Sequence, residues 1–350
     1  MPHRPPLRPG RDGARRAGPG HGSSAEGHPV SETGRRLRVL TWHVHGNYLY
    51  ALTQAPHDFY VPVREDGSPG YGALGRRIPW GPNVHAIPAG QLRETPLDCV
   101  VYQSRQNLRD AWTLLSPAQR RLPCAYIEHN PPEPHPTDTV HPFSHPRGIL
   151  VHVTPHNAQM WDRSGVPTRV IEHGVPVPPD VRYLGELARG IVVVNHLARR
   201  GRRLGADLYA DMARMLPLDL IGMESEACGG LGEIPNMEVA AFMARYRFYF
   251  SPIRYGSLSL SLVEAMLCGI PVIGFAATEL PSVIENGVHG YVDSRPQRLA
   301  EAGRMLLEQP ELARRWGQAA RAMARERFSI ERFVAEWCAL FETLSGDRQG

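Results

Sequence analysis

Two short stretches hold side chains whose types and spacing could do chemistry. In "SPIRYGSLSLSLVEAMLCGIPVIGF", Ser251 to Phe275, serines alternate with leucines over Ser257 to Leu262, a period that alone would suit a half-buried strand. Gly269 and Pro271 overrule it: a helix stopped by Gly and followed by "PVIGF" as a short buried strand fits the flanks better. Ser257, Ser259 and Ser261 then precede and cap that helix, and each can accept from an exposed first-turn amide. Those amides, with the positive end of the helix dipole, suit an anion such as phosphate, although plain capping without a ligand accounts for the same serines. The second stretch is "WHVHGN", which closes a strand and places His43 and His45 on one face by period-two alternation. H-x-H is a metal-ligand spacing, but no carboxylate or Cys completes a set, so the expectation is hydrogen-bonded or acceptor-facing imidazoles and no metal.

The elements around these stretches alternate. Strands are expected at Leu37 to His43, His57 to Val63, around Val100, at Cys124 to His129, Gly148 to Pro155 and Arg169 to Gly174, with helices at Gln106 to Leu115 and Asn157 to Ser164. This is the pattern of a mostly parallel sheet with crossover helices. The proline-crowded "GVPVPPDVRYLGELARG" reads as a linker. The pattern then restarts at "IVVVNHL" and runs through the helix "GADLYADMARM", the strand "LDLIGM", a helix at Met237 to Tyr246 and the strand "FYFSPI". After the helix at Leu260 to Cys268 come the turn "ENGVHGYV" and helices at Gln297 to Glu308 and Pro310 to Glu326. The closing "SIERFVAEWCALFETL" carries a helical apolar stripe at Phe333, Val334, Trp337, Leu340 and Phe341.

Composition narrows the class. A chain of 350 residues with 42% hydrophobic and 21% charged residues is that of a soluble globular protein of two domains, and no apolar run approaches the roughly 18 residues a membrane span needs. All 39 basic residues are Arg, so no Lys-dependent site exists here. The net charge of +4 is carried by the Pro-, Gly- and Arg-rich opening, residues 1–35 with Arg36, which reads as a disordered tail. The remaining balance points to no nucleic-acid partner. Five widely spaced cysteines without a C-x-x-C pair read as reduced thiols of a cytoplasmic protein.

The run from Ser251 to Phe275, followed by "ELPSVIENGVHGYV" and then "ARERFSIERF", resembles the C-terminal half of family 4 retaining glycosyltransferases. The matching positions are Glu264-Ala265-Met266, Gly269, Pro271-Val272, Pro281, Ile284, Gly287 and Gly290, three elements in order over about 80 residues. The resemblance covers the chain from about Ile191 onward well and the earlier part loosely, with "RVIEHGV" at the junction. It implies the α/β GT-B fold: two Rossmann-like domains facing each other across a cleft. The expected divisions are an acceptor-side domain over 36–174, a linker over 175–190, a nucleotide-sugar domain over 191–325, and a helix over 326–345 packing back on the first domain.

The resemblance also implies roles. Glu264 matches the Glu that holds the nucleotide ribose, a task for which a carboxylate can accept from two vicinal hydroxyls. The sugar-reading Glu falls at Gly256 and is missing, leaving Tyr255, Ser257, Leu258, Ser259 and Leu260 around the donor. The diphosphate-holding Lys falls at Leu204 and is also missing. Arg199, Arg200, Arg202 and Arg203 crowd the same loop, where a guanidinium can make charge-assisted bonds to a diphosphate, although such a loop is commonly only solvated. His129 matches the His that touches the donor sugar, with Glu128 and Asn130 beside it and His43, His45, Gly46 and Asn47 toward the acceptor side. The implied activity is metal-independent, retaining transfer from a nucleotide sugar, a co-substrate rather than a cofactor, to a glycan or lipid-linked acceptor, with room for peripheral attachment at the inner membrane face. The two departures equally suit a catalytically silent GT-B protein that binds a nucleotide sugar or glycan beside a partner enzyme.

Overall fold

The computed structural model describes residues 35–75 and 77–346; of the expected tail at residues 1–35, all but Arg35 lies outside them. The first sheet contains β1 (Arg38–Thr41), β2 (Asp58–Val63), β3 (Val84–Pro88), β4 (Cys99–Tyr102), β5 (Cys124–Glu128), β6 (Gly148–His152) and β7 (Thr168–Val170). Its order is β3-β2-β1-β4-β5-β6-β7, with every pairing parallel. The second contains β8 (Leu187–Val193), β9 (Leu218–Ile221), β10 (Tyr246–Ser251), β11 (Val272–Phe275) and β12 (Gly290–Asp293), ordered β12-β11-β10-β8-β9 and again parallel throughout. Both are doubly wound α/β sheets. In the first the chain leaves β1 in both directions, and in the second it leaves β8 in both directions. The crevices where such sheets bind ligands therefore open beyond Thr41 and beyond Val193.

The crossovers are helical: α1 (Gly46–Leu52), α2 (Arg105–Leu114), α3 (Pro155–Met160), α4 (Leu197–Arg200), α5 (Ala206–Met215), α6 (Val239–Met243), α7 (Leu260–Cys268), α8 (Leu280–Val283), α9 (Pro296–Glu308), α10 (Pro310–Arg327) and α11 (Ile330–Gly346). Central strands are covered on both faces, so β5 and β10 are buried at every position and read as continuous apolar runs. Strand β3 escaped the sequence pattern because it is an edge strand pairing only with β2, half exposed and ending in Pro88, which suits an edge position.

Several boundaries differ from expectation. Strand β8 starts at Leu187, inside the stretch read as linker; Tyr246 opens β10 rather than closing a helix; α3 stops at Met160, short of Ser164; and Gly290–Asp293 is a strand where a turn was expected. The last follows from parallel pairing of Val272 to Phe275 with Gly290 to Asp293, a tertiary contact that local turn chemistry does not reveal.

Each sheet has its own apolar layers, and the described residues from Arg35 onward form one compact unit. The closing helix α11 belongs to the first sheet: Phe333, Trp337, Leu340, Phe341 and Leu344 are buried with Leu37, Val39, Tyr48, Phe59 and Ile171. Five large side chains buried at roughly 2 kcal/mol apiece make a strong tether. Arg332 Nη2 adds bonds to the carbonyls of Glu172 (2.8 Å) and His173 (2.7 Å), just before the stretch that leads to the second sheet. No helix among the described residues is long and apolar enough to cross a membrane.

Candidate active site

On the second-sheet side, the arginine-rich loop lies against the loop that follows β10. Gly205 makes this approach: its φ is +82°, and a Cβ there would stand 2.0 Å from the Pro252 carbonyl oxygen, so no other residue fits without strain. The amides of Arg254 and Tyr255 donate to the Arg203 carbonyl (3.1 and 3.0 Å), and Arg203 Nε donates to the Tyr255 carbonyl at 3.1 Å. The four arginines then part ways. Arg202 pairs with Asp207, and Arg203 pairs with Glu133 of the first-sheet side. Arg199 and Arg200 are exposed and form no ion pair with any described residue. Arg200 faces His45 closely enough for its charge to act on that imidazole.

The serines divide their tasks. Only Ser259 caps α7, accepting from the Leu262 amide at 3.1 Å. Ser261 bonds Ser259 (2.8 Å) and Tyr249 Oη (3.0 Å). Ser257 instead crosses to the first sheet, donating to the His129 carbonyl and accepting from Asn157 Nδ2, each at 2.5 Å. The expectation that all three accept from helix amides is thus corrected: side-chain partners on β10 and across the cleft take two of them. Leu258, expected beside the donor, is a core residue, and only its carbonyl reaches out, accepting from His173 Nε2 at 2.9 Å. Tyr255 Oη donates to the Pro132 carbonyl at 2.9 Å.

One turn into α7, Leu260 and Glu264 line a cleft pocket of about 330 Å³ shared with Asn236, Met237, Tyr50 and Asn47. Glu264 is half-buried and accepts no hydrogen bond from the described residues, and burial pushes its carboxyl up to about 8. Asn236, Met237 and Tyr50 carried no local motif that singles them out; only the assembled cleft does.

From the first sheet come the ends of β1 and β5. Strand β1 stops at Thr41, so His43 and His45 do not share a face, contrary to expectation. His43 packs edge-on against Trp80 (5.6 Å between ring centroids), while His45 meets His129 (4.3 Å). His129 also meets Tyr48 at 4.7 Å, and its Nε2 is buried without a hydrogen-bond partner among the described residues. Burial, aided by His45 and His173, holds the His129 imidazole well below its ordinary range, so it is neutral at pH 7. Burial within the cleft, together with Arg200, lowers His45 to about 4 even though part of its ring meets solvent. Gly46 fits tightly, a Cβ there standing 3.3 Å from His43 Nε2, and Asn130 and Asn47 are exposed. Glu128 is a correction. Expected on the sugar side, it is buried and turned inward to His141 Nε2 (3.1 Å) and its own Asn130 amide (2.8 Å). No group of three His, Cys, Asp or Glu side chains among the described residues could hold a metal ion.

The two departures from the family pattern are neighbours. A Cβ on Gly256 would lie 3.8 Å from Leu204 Cδ2 and 3.2 Å from Ile253 Cγ2, and Leu204 itself is buried. Where the pattern would set a carboxylate near an ammonium, this chain packs glycine against aliphatic carbon.

Residues 225–323 match the sequence model of the family described as Glycosyl transferases group 1. Over that stretch the chain is similar to the group 1 glycosyltransferases. Among curated relatives, N-acetyl-alpha-D-glucosaminyl L-malate synthase of Bacillus anthracis is 34% identical over 97 residues, 27% of this chain and 26% of that protein. An uncharacterized glycosyltransferase of Methanocaldococcus jannaschii is 27% identical over 108 residues, 30% of this chain and 28% of that protein. The chain thus aligns with little more than a quarter of these relatives' length. Among solved structures, sucrose-phosphate synthase from Thermosynechococcus elongatus superposes with a TM-score of 0.68 at 16% identity, covering 89% of this chain and all of that one. Anabaena HepE, solved in complex with UDP and glucose, gives 0.62 at 14% identity, covering 88% of this chain and all of that one. The group 1 region therefore sits within a GT-B fold that extends over most of the chain.

Proposed function

We propose that the protein is a retaining glycosyltransferase that moves a sugar from a nucleotide sugar to a glycan or lipid-linked acceptor, in the cytoplasm or at the inner membrane face, in carbohydrate biosynthesis. The observation that carries this reading is Glu264: a half-buried carboxyl without a hydrogen-bond partner among the described residues, in a cleft pocket, on a helix within the residues that match the group 1 family. A carboxyl in that state gains most from a ligand that presents hydroxyl donors, as a ribose does. HepE, of the same fold, was solved with UDP and glucose, which supports a nucleoside diphosphate sugar as the donor class.

The remaining roles follow from position. Arg199 and Arg200, exposed and unpaired at the end of β8, take the diphosphate, with Arg202 and Arg203 available once they leave Asp207 and Glu133. They supply the charge that makes a metal unnecessary. Tyr255, Gly256, Ser257 and Ser259 border the sugar on the second-sheet side, while His129 faces it from the first, with Asn130, His45, Gly46 and Asn47 near the acceptor. In the reaction the bond from the anomeric carbon to the phosphate oxygen breaks, and the acceptor oxygen bonds the same face of the sugar. The departing phosphate takes the acceptor's proton. Neutral His129 supports the electron-poor ring by accepting or donating a hydrogen bond rather than by adding charge.

A second reading has its own observation. Gly256 and Leu204 replace two polar groups at adjoining positions with an apolar contact, as a silent nucleotide-sugar-binding protein beside a partner enzyme would tolerate. Release of nucleoside diphosphate from UDP-, GDP-, ADP- and dTDP-sugars, measured with and without a mixed glycan acceptor pool, separates the two. Release above the no-enzyme rate that is lost in Glu264→Ala supports the enzyme; binding without release supports the silent protein.

A further inference from the structure

The segment after β5 is held from three sides. The Asn130 amide donates to Glu128 Oε1 at 2.8 Å, the Asn130 carbonyl accepts from Trp161 Nε1 at 2.9 Å, and the His129 carbonyl accepts from Ser257 Oγ at 2.5 Å. Behind the first of these bonds stands a second buried group. His141 Nδ1 accepts from the Phe143 amide at 3.1 Å. This places the ring proton on Nε2, which donates to Glu128 Oε2 at 3.1 Å. The His141 side chain is fully buried and that of Glu128 nearly so. Tyr126 and Trp161 pack edge-on against the imidazole, each with ring centroids 4.8 Å away. A carboxylate buried this deeply is costly unless both oxygens are occupied, and here each has its own donor.

We propose that the buried Glu128–His141 pair is a positioning device for His129. By fixing the Asn130 amide it sets the direction in which the chain leaves β5, and so where the neighbouring imidazole meets the cleft. The proposal rests on the reading of His129 as the group that faces the transferred sugar. It assigns no contact with substrate to either member of the pair. The three restraints come from a buried pair, an indole and a loop of the second sheet.

The test uses the full-length chain as Glu128→Ala, Glu128→Gln, His141→Ala and the Glu128→Ala/His141→Ala double variant. The first measurement is kcat and KM for nucleoside diphosphate release from whichever nucleotide sugar the wild type turns over. Glu128→Ala should lower kcat at least 10-fold with KM for the donor changed less than about twofold. Glu128→Gln, whose single carbonyl oxygen can accept from the Asn130 amide while its NH2 then meets the Nε2 proton of His141, should recover only part of the loss. The double variant should be no worse than the poorer single one, because the residues act as a unit. The second measurement, amide hydrogen exchange over residues 128–130 without any ligand, needs no activity. It should quicken about 10-fold in Glu128→Ala and less in the Gln variant. Unchanged exchange, or kcat losses that simply add, would overturn the proposal. If the wild type turns over no nucleotide sugar, the proposed activity fails by itself, and the exchange result alone decides whether this pair holds the segment. Glu128→Gln keeps the question open to measurement if the alanine variants do not fold.

Discussion

A carboxyl whose proton is held to about 8 behaves oppositely to a salt-bridged one. For Glu264 the native state binds its proton more tightly than the unfolded chain does between the ordinary value of 4.5 and about 8. Stability from this group is therefore full below pH 4.5 and lost as the pH rises through 8. Glu264→Gln should raise Tm more at pH 8 than at pH 5, by a difference on the order of 2 kcal/mol in unfolding free energy. Equal shifts at the two pH values, read by calorimetry, would mean that the carboxyl is not desolvated. This group was legible in the sequence only as a family match. The reason it stands apart physically, the lack of a partner in a half-buried pocket, needs the cleft formed by Asn47, Tyr50 and the Asn236 turn. Glu128 shows the reverse. Its neighbour His129 reaches the cleft and it does not, because successive residues at a strand end point to opposite sides, and sequence position alone cannot say which side is the crevice.

Among the elements, helix α7 was readable to its last residue because its ends are marked locally: Ser259 caps the start, and Gly269, with φ of +89°, ends it. Replacing Ser259 by Ala should cost about 1 kcal/mol in chemical denaturation, and a loss below about 0.3 kcal/mol would show that Tyr249 and Ser261 hold this end unaided. The Gly205 turn should be less forgiving. Gly205→Ala meets both a left-handed backbone and the Pro252 carbonyl, so a loss of about 2–4 kcal/mol is expected, and a variant as stable as wild type would contradict the packing of the two loops. Elements lacking such local marks were misread. β3 and β12 depend on pairing with a neighbour far away in sequence, and α3 ends early because its last turn gives way at Trp161, whose indole bonds Asn130 across the fold.

At the scale of the molecule, the two sheets meet through polar contacts near the cleft and through α11 away from it. Tyr255 to Pro132, Ser257 to His129, His173 to Leu258 and the His156 amide to Glu279 (2.9 Å) all cross between the sheets, and Arg327 joins Glu172 to Glu279 where α10 passes into α11. Buried neutral histidines lie on the first-sheet side of this junction. His152 and His173 are each lowered by burial to about 4 from 6.5. The unfolded chain therefore binds protons below pH 6.5 that the native state refuses, and stability falls as the pH drops from 6.5 toward 4. Each of these two imidazoles accounts for up to about 3 kcal/mol of that loss. Unfolding free energy that is flat between pH 6.5 and 4.5 in urea titrations of Glu264→Gln, which removes the opposite trend of that carboxyl, would contradict this picture. These crossings explain why the sheets could be foreseen from alternating patterns while the site could not. Ser257, Asn157 and His129 are far apart in sequence, and only the closed arrangement brings them within hydrogen-bonding distance.

The measurement that tests the central claim most directly is a thermal-shift series of wild type and Glu264→Ala against UDP-, GDP-, ADP- and dTDP-sugars, because a ligand that binds only the folded state must raise Tm. The account predicts a rise with one nucleotide class in wild type at millimolar donor, reduced or abolished in the variant. No rise with any donor, or an equal rise in both proteins, would contradict a nucleotide-sugar site at Glu264.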